Sequence, residues 1–241
     1  DLGYYSRADQ FAIFPPKTLT EIINRVSYPI MCLHQDNKKD LAKVYTNFIS
    51  LSCYIIFPLM IGLSVLSKPL IVLLLTDKWI AAAMMVSILA LDGLWAPITK
   101  INLSLLQAVG RSDLFLRLEI IKKIIAVCIL LVTIQFGLIF ICVGRVIYSI
   151  IAMLINMYYT VDIIGRSYLQ QIADWFLLFI VSVLMGGVVF ISIYLIKSPG
   201  LQLVVGCCTG VISYYVFTKV FRLKEFDVAK SLFISLIKKD K

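Results

Sequence analysis

Residues 89–100 read LALDGLWAPITK, and they place Asp92, Pro97 and Lys100 inside a long apolar run. A charge at mid-membrane depth costs several kcal/mol unless it faces protein or water. Lys100 follows Asp92 by eight residues, about 80° around a helix. Pro97 frees a backbone carbonyl between them, and Thr99 and Asn102 add polar atoms. The group reads as the lining of a wet cavity on a helix that bends, suited to a substrate or an ion. Asp92 pairing with a base on a neighbouring helix for packing alone stays open beside it. So does Lys100 snorkelling toward the membrane surface.

A second set lies nearer the N-terminus. Glu21 precedes Arg25 by four residues, the favourable order for a helical ion pair. Arg7 precedes Arg25 by eighteen residues, the same azimuth on an unbroken helix. Guanidinium groups in a cavity suit phosphate, because the planar fork matches it and stays charged. Arg117, Glu119, Lys122 and Lys123 share one half of a later helix. They read as snorkelling and topology, or as an electropositive vestibule for an anionic head group. The candidate binding residues are therefore Arg7, Arg25, Asp92 and Lys100, with Glu21, Asn102, Lys122 and Lys123 behind them. No catalytic residue, metal site or cofactor is expected. Walker, HExxH and GxSxG patterns are absent, His34 is the single histidine, and the six cysteines form no CxxC pair.

The elements that must carry these residues are membrane helices. The 241 residues are 61% hydrophobic and only 15% charged, with a mean hydropathy of +0.94. Soluble domains run at about 45–50% apolar and about 25% charged. A bilayer is thus the main solvent. The net charge of +9 reads as topology rather than nucleic-acid binding.

Hydrophobic spacing predicts an amphipathic helix after Pro15 and Pro16, which break any helix arriving from upstream. Spans follow at 44–66, 80–108, 137–161, 173–196 and 200–218, and 115–136 forms a half-charged helix. Gly144 and Arg145 leave the start of the 137–161 span open; the alternative is one span at 124–143 and a shorter one after Arg145. Residues 67–79 dip into the interface, and 219–241 form a basic amphipathic tail. Lys and Arg concentrate in the loops 32–43, 109–123 and 162–172 and in the tail, which places these on the cytoplasmic side. Gly206 and Gly210 fit a GxxxG close-packing pattern.

Several stretches then carry a resemblance. LGYYSRADQF (2–11) resembles an "lGyY-x-rA" motif. FPPKTLTEIINRVSYPI (14–30), FPLMIGL (57–63), KPLIVLLLTDKWIAA (68–82) and LLQAVGRSD (105–113) follow it in order. Together they resemble the C-terminal half of the bacterial polysaccharide flippases, the exporters of lipid-linked O-antigen and exopolysaccharide units. That family sits in a superfamily with the multidrug and toxic-compound extrusion transporters.

The resemblance implies an all-α integral membrane protein with a MATE-like lobe. The lobe is a six-helix bundle, partly truncated at its start, over residues 1–161. Two extra transmembrane helices occupy 162–218 and the tail 219–241. A first lobe would be missing. The implied function is flipping of undecaprenyl-diphosphate-linked oligosaccharide across the bacterial inner membrane, without enzymatic chemistry. The implied partners are that substrate, membrane lipids, the absent N-terminal half and other polysaccharide-assembly proteins. The alternatives are a cation-coupled multidrug exporter and a membrane glycan polymerase or ligase. The former favours acidic cavity residues, and the latter needs a sizeable external loop.

Overall fold

The computed structural model describes residues 2–226, and all its regular elements are helical. The helices are α1 (Leu2–Leu33), α2 (Lys38–Val65), α3 (Ser67–Leu75), α4 (Ile80–Gly93), α5 (Ala96–Ala108), α6 (Ser112–Thr133), α7 (Leu138–Ile164), α8 (Tyr168–Tyr194) and α9 (Pro199–Val220). Five helical segments, 38–65, 77–108, 138–164, 168–194 and 199–220, are long and apolar enough to cross a membrane. The chain is a multi-pass membrane protein. The part of the basic tail beyond Phe226, expected to be amphipathic, lies outside the described residues.

Two local expectations need correction. Pro15 and Pro16 do not break the chain: α1 runs unbroken through them and through Pro29. A membrane helix tolerates proline where neighbouring helices accommodate the freed carbonyls, and Pro16 is buried against α4. The 80–108 segment is not one continuous helix. α4 ends at Gly93, α5 starts at Ala96, and Pro97 occupies the first turn of α5, where its missing N–H has no intrahelical acceptor in any case. The expected 137–161 span agrees with the structure instead of its alternative: α7 is continuous from Leu138 to Ile164, with Arg145 inside it.

Boundaries follow local chemistry. Asn37 caps α2 by accepting from the backbone N–H groups of Lys39 at 3.0 Å and Asp40 at 3.4 Å. Gly165, at φ +65°, ends α7 in the left-handed conformation that glycine adopts without penalty. Ser167 and Gln170 then form a capping box that starts α8.

The main core joins α2, α4, α5, α7 and α8. Trp95, in the α4–α5 break, packs edge-on to Trp175 of α8 at 5.5 Å between ring centroids and to Phe57 of α2 at 6.2 Å. Beside it, Tyr45, Asn102, Thr160 and Gln171 form a fully buried polar knot. The Tyr45 hydroxyl lies 2.9 Å from Asn102 Oδ1 and 3.1 Å from Gln171 Oε1. Thr160 Oγ1 lies 3.0 Å from Asn102 Oδ1. Asn102 is thus a joint between α2, α5, α7 and α8, and it is 0% exposed.

The loop joining α1 to α2 and the loop joining α7 to α8 share one end of the bundle. There Lys38 Nζ donates to Asp162 O at 3.2 Å, and Arg166 bridges Thr46 and Asp174. Gly206 of the GxxxG pattern has an internal use: a Cβ there would meet Leu66 Cδ2 at 2.5 Å.

Close approach also seats α8 on α2. A methyl group added at Gly186 would sit 2.5 Å from Ile61 Cγ2, whereas nothing lies within 4 Å of one added at Gly187. Gly186→Ala is therefore expected to cost about 1–3 kcal/mol through overpacking. Gly187→Ala is expected to be neutral or slightly stabilising, as alanine is in a helix. Thermal unfolding of both variants in detergent checks this; equal midpoints would mean that α8 is not seated on α2 as described.

Candidate functional site

An open cavity of about 400 Å³ lies between α1, the α4–α5 break, α6 and α7. That volume falls within the range of small-ligand sites, roughly 300–1,000 Å³. α1 contributes Lys17, Thr20 and Glu21 to its wall, and the broken helix contributes Asp92, Trp95, Thr99 and Lys100. α6 contributes Lys122, and α7 contributes Tyr148 and Ser149. These groups flank the break. α4 stops one residue after Asp92, and α5 starts at Ala96 with Thr99 and Lys100 in its first turns. Gly93 allows α1 to come close: a Cβ there would fall 2.9 Å from Pro16 Cγ and 2.7 Å from Met60 Cε.

Asp92 does not stand alone. Arg145 Nη2 on α7 donates to Asp92 Oδ2 at 2.9 Å. The same guanidinium binds Asp9 of α1 through Nη1, which also donates to the Tyr5 hydroxyl at 3.1 Å. One guanidinium thus ties α1, α4 and α7 together through two carboxylates. The three charged side chains remain partly accessible, at 19–30%. Asp92 faces two ways, fastening the helices through one oxygen while forming part of the cavity wall.

Lys122 is 4% exposed and forms an ion pair with Glu119 one turn away on α6. Lys17 and Lys100 are exposed and make no ion pair among the described residues. The wall therefore has mixed charge, with three lysines and two carboxylates. Thr20 Oγ1 and Trp95 Nε1, on residues only 7% and 8% exposed, have no hydrogen-bond partner.

Of the residues singled out from the sequence, the cavity gathers Glu21, Asp92, Lys100 and Lys122. It does not gather Arg7, Arg25, Asn102 or Lys123. Arg7 and Arg25 are exposed on α1; Arg7 donates to Gln10 Oε1 at 3.1 Å, and no ion pair joins Glu21 to Arg25. Lys123 is exposed on α6, and Asn102 belongs to the buried knot.

Sequence reasoning passed over Lys17, Asp9 and Arg145 as site residues. The signal for Arg145 was present, since an arginine within an apolar helix requires a counter-charge. Lys17 precedes Glu21 by one helical turn, which puts both on one face once α1 is known to be continuous. Among the described residues no group of three His, Cys, Asp or Glu is placed to hold a metal ion.

Removing Arg145 alone would leave two carboxylates facing each other. Arg145→Leu is therefore expected to lower stability steeply, toward but below the roughly 3–5 kcal/mol of a fully buried broken pair. Adding Asp9→Asn and Asp92→Asn to that variant is expected to recover most of the loss. Thermal midpoints in detergent across this mutant cycle test it; additive losses would show that the three groups do not act as a unit.

Residues 1–84 match a family described as polysaccharide biosynthesis protein. The chain is 26% identical over 181 residues to an "Uncharacterized membrane protein in cps region" of Klebsiella pneumoniae, covering 74% of this chain and 37% of that protein. It is 28% identical over 182 residues to the lipopolysaccharide biosynthesis protein WzxC of Escherichia coli (strain K12), covering 75% and 37%. It is also 31% identical over 113 residues to the teichuronic acid biosynthesis protein TuaB of Bacillus subtilis (strain 168), covering 47% and 23%. The matches thus span well under half the length of these relatives. No solved structure matches the chain. The resemblance read from the sequence is borne out: this chain is similar to the membrane proteins of polysaccharide biosynthesis, over residues 1–84 by the family match and over about three quarters of its length by two of the three relatives.

Proposed function

We propose that the chain is one lobe of a transporter that flips lipid-linked oligosaccharide units across the bacterial inner membrane for polysaccharide assembly. The observation that carries this reading is a cavity with charged and polar walls among helices that are otherwise apolar. A membrane protein keeps charges at that depth for a passage or a bound polar ligand, since each is costly to bury. The family match and the relatives named for lipopolysaccharide and teichuronic acid biosynthesis point to the cargo class.

In this reading residues 1–161 are the lobe and residues 162–218 are two accessory helices. The basic loops and the C-terminus face the cytoplasm. A second lobe supplies the opposite wall of the passage, and the relatives are long enough to contain one. The exposed bases Arg7, Lys17, Arg25 and Lys100 attract the diphosphate of the cargo, and the lipid tail stays in the bilayer. Rocking of one lobe against the other exposes the cavity to each side in turn.

A cation-coupled drug exporter is less well supported. Of the two acids on the cavity wall, Asp92 is already held by Arg145, and Glu21 shares the wall with three lysines. A polymerase or ligase is less well supported too, because the described loops are short turns between helices.

The test is complementation by the full-length protein in a strain lacking its own flippase but making the cognate glycan. Wild type is expected to restore surface polysaccharide. Lys17→Ala and Lys100→Ala, at matched membrane levels, are expected to cut the restored amount about tenfold or more, as loss of a charge-assisted hydrogen bond does. Failure of wild type to restore the glycan, with a fall in drug accumulation instead, overturns the reading.

A further inference from the structure

α1 is one helix in outline, but its two halves are fastened differently. The first half carries Ala8 and Ala12 into a core cluster with Ala82, Val86 and Leu89 of α4, and Arg145 holds its Asp9. Near the other end Met31 is fully buried in the main core. Three prolines divide the stretch between these anchors, Pro15 and Pro16 on one side and Pro29 on the other. Each removes a bond from the helix ladder, so the carbonyls of Phe11, Ala12 and Arg25 lose their usual donors. α2 meets the same loss at Pro58, and there the Tyr214 hydroxyl takes up the freed Tyr54 O at 2.7 Å. In α1 no side-chain donor among the described residues reaches the three freed carbonyls.

The segment between the prolines, residues 17–28, is poorly satisfied where it is packed. Thr20, Asn24 and Ser27 follow one another at helical spacing. Asn24 pairs with Ser104 of α5, but Thr20 Oγ1 and Ser27 Oγ are buried without a partner. A buried hydroxyl left unpaired disfavours the position that buries it, relative to one in which water reaches it. The apolar contacts of this segment with the main core are Leu19 and Ile23, both only partly buried. The same segment brings Lys17, Thr20 and Glu21 to the cavity.

We infer that residues 17–28 of α1 form a strap, jointed at Pro15–Pro16 and at Pro29, that shifts away from α5 and so widens the cavity. The Asp9–Arg145 pair and Met31 hold α1 still beyond the joints. In the packed position Asn24 is bonded to Ser104; in the shifted one water pairs Thr20 and Ser27. The device lies within one lobe and goes beyond the rocking of two lobes, and it does not depend on what the cavity carries.

The experiment places spin labels on the full-length protein in lipid nanodiscs, in a background without exposed cysteines. One pair, Val26 and Tyr158, reaches from the strap to α7. A reference pair, Ile55 and Tyr158, joins two helices of the buried knot. All three positions are exposed. Electron–electron distance measurements on wild type are expected to show a second Val26–Tyr158 distance beside that of the packed position, and a single distance for the reference pair. Replacing Pro15, Pro16 and Pro29 by alanine restores the ladder donors and is expected to remove the second distance. Pro15→Ala with Pro29→Ala, which leaves the buried Pro16 in place, is expected to act in the same direction if the triple variant does not fold. Thr20→Val keeps the shape, removes an unpaired hydroxyl, and is expected to raise the packed population.

A single Val26–Tyr158 distance in wild type, as narrow as the reference, overturns the inference. So does a second distance that the proline variants leave unchanged or that Thr20→Val makes more populated. In the cellular assay the proline variants are expected to lower restored surface glycan severalfold at matched membrane levels. Full restoration by a variant whose strap no longer shifts also overturns the inference, because the movement would then serve no passage. The distances need no cargo, so failure of wild type in cells bears on the proposed function alone.

Discussion

The rest of the bundle depends on one guanidinium. Arg145 holds Asp9 and Asp92, and through them α1 and α4, against α7. In an aqueous protein such a cluster adds little, because each group is nearly as well solvated when apart. Within a membrane the alternative to pairing is a bare charge in hydrocarbon, so the three helices are held in one relative setting. The cluster carries two carboxylates for one guanidinium. Its partial accessibility, and the position of Asp92 on the cavity wall, keep that surplus near water.

The cavity follows from what this setting does to backbone geometry. α1 passes close to the α4–α5 break because Gly93 has no side chain to hold Pro16 away. On either side of the break Asp92 pairs with Arg145, and Thr99 and Lys100, about two turns later, line the cavity with it. In the observed arrangement Trp95 is anchored on one side by Trp175 and Phe57 and still forms part of the cavity wall. Trp95 is only 8% exposed, so its main part in the cavity is to fix the wall through the core behind it.

Much of the architecture was legible in the sequence. Long apolar runs report membrane helices directly, because the bilayer requires length and hydrophobicity together. Asp92 and Lys100 drew attention for the same reason, as charges in an apolar run, and both line the cavity. Continuity through Pro15 and Pro16 was not legible. Proline's local preference argues for a break, and only contact with a neighbouring helix overrides it. The partner of Asp92 was not legible as such, since Arg145 is 53 residues away and pairing across helices leaves no periodic trace. Asn102 looked like a cavity residue because it adds polar atoms to the same apolar segment, two residues after Lys100. The two-residue step turns it by about 200°, away from the cavity and into the buried knot with Tyr45.

That knot bears on how the two last helices relate to the rest. α8 is not an appendage: Gln171 shares the knot with α2, α5 and α7, and Trp175 shares the aromatic cluster with Trp95. α9 packs chiefly on α8, where Ser192 Oγ and Thr209 Oγ1 lie 3.0 Å apart, and it reaches the rest through the Tyr214 hydroxyl donating to Tyr54 O at 2.7 Å and through Gly206 against Leu66. By contrast, α6 packs mainly on α7 and buries few side chains, among them Lys122 at the cavity wall. A close-packed interior does not deform smoothly, so motion concentrates where packing is thinnest. The knot joins α2, α5, α7 and α8, and the Arg145 cluster joins α1, α4 and α7. Of the elements that line the cavity, α6 takes part in neither, although it brings Lys122 to the wall.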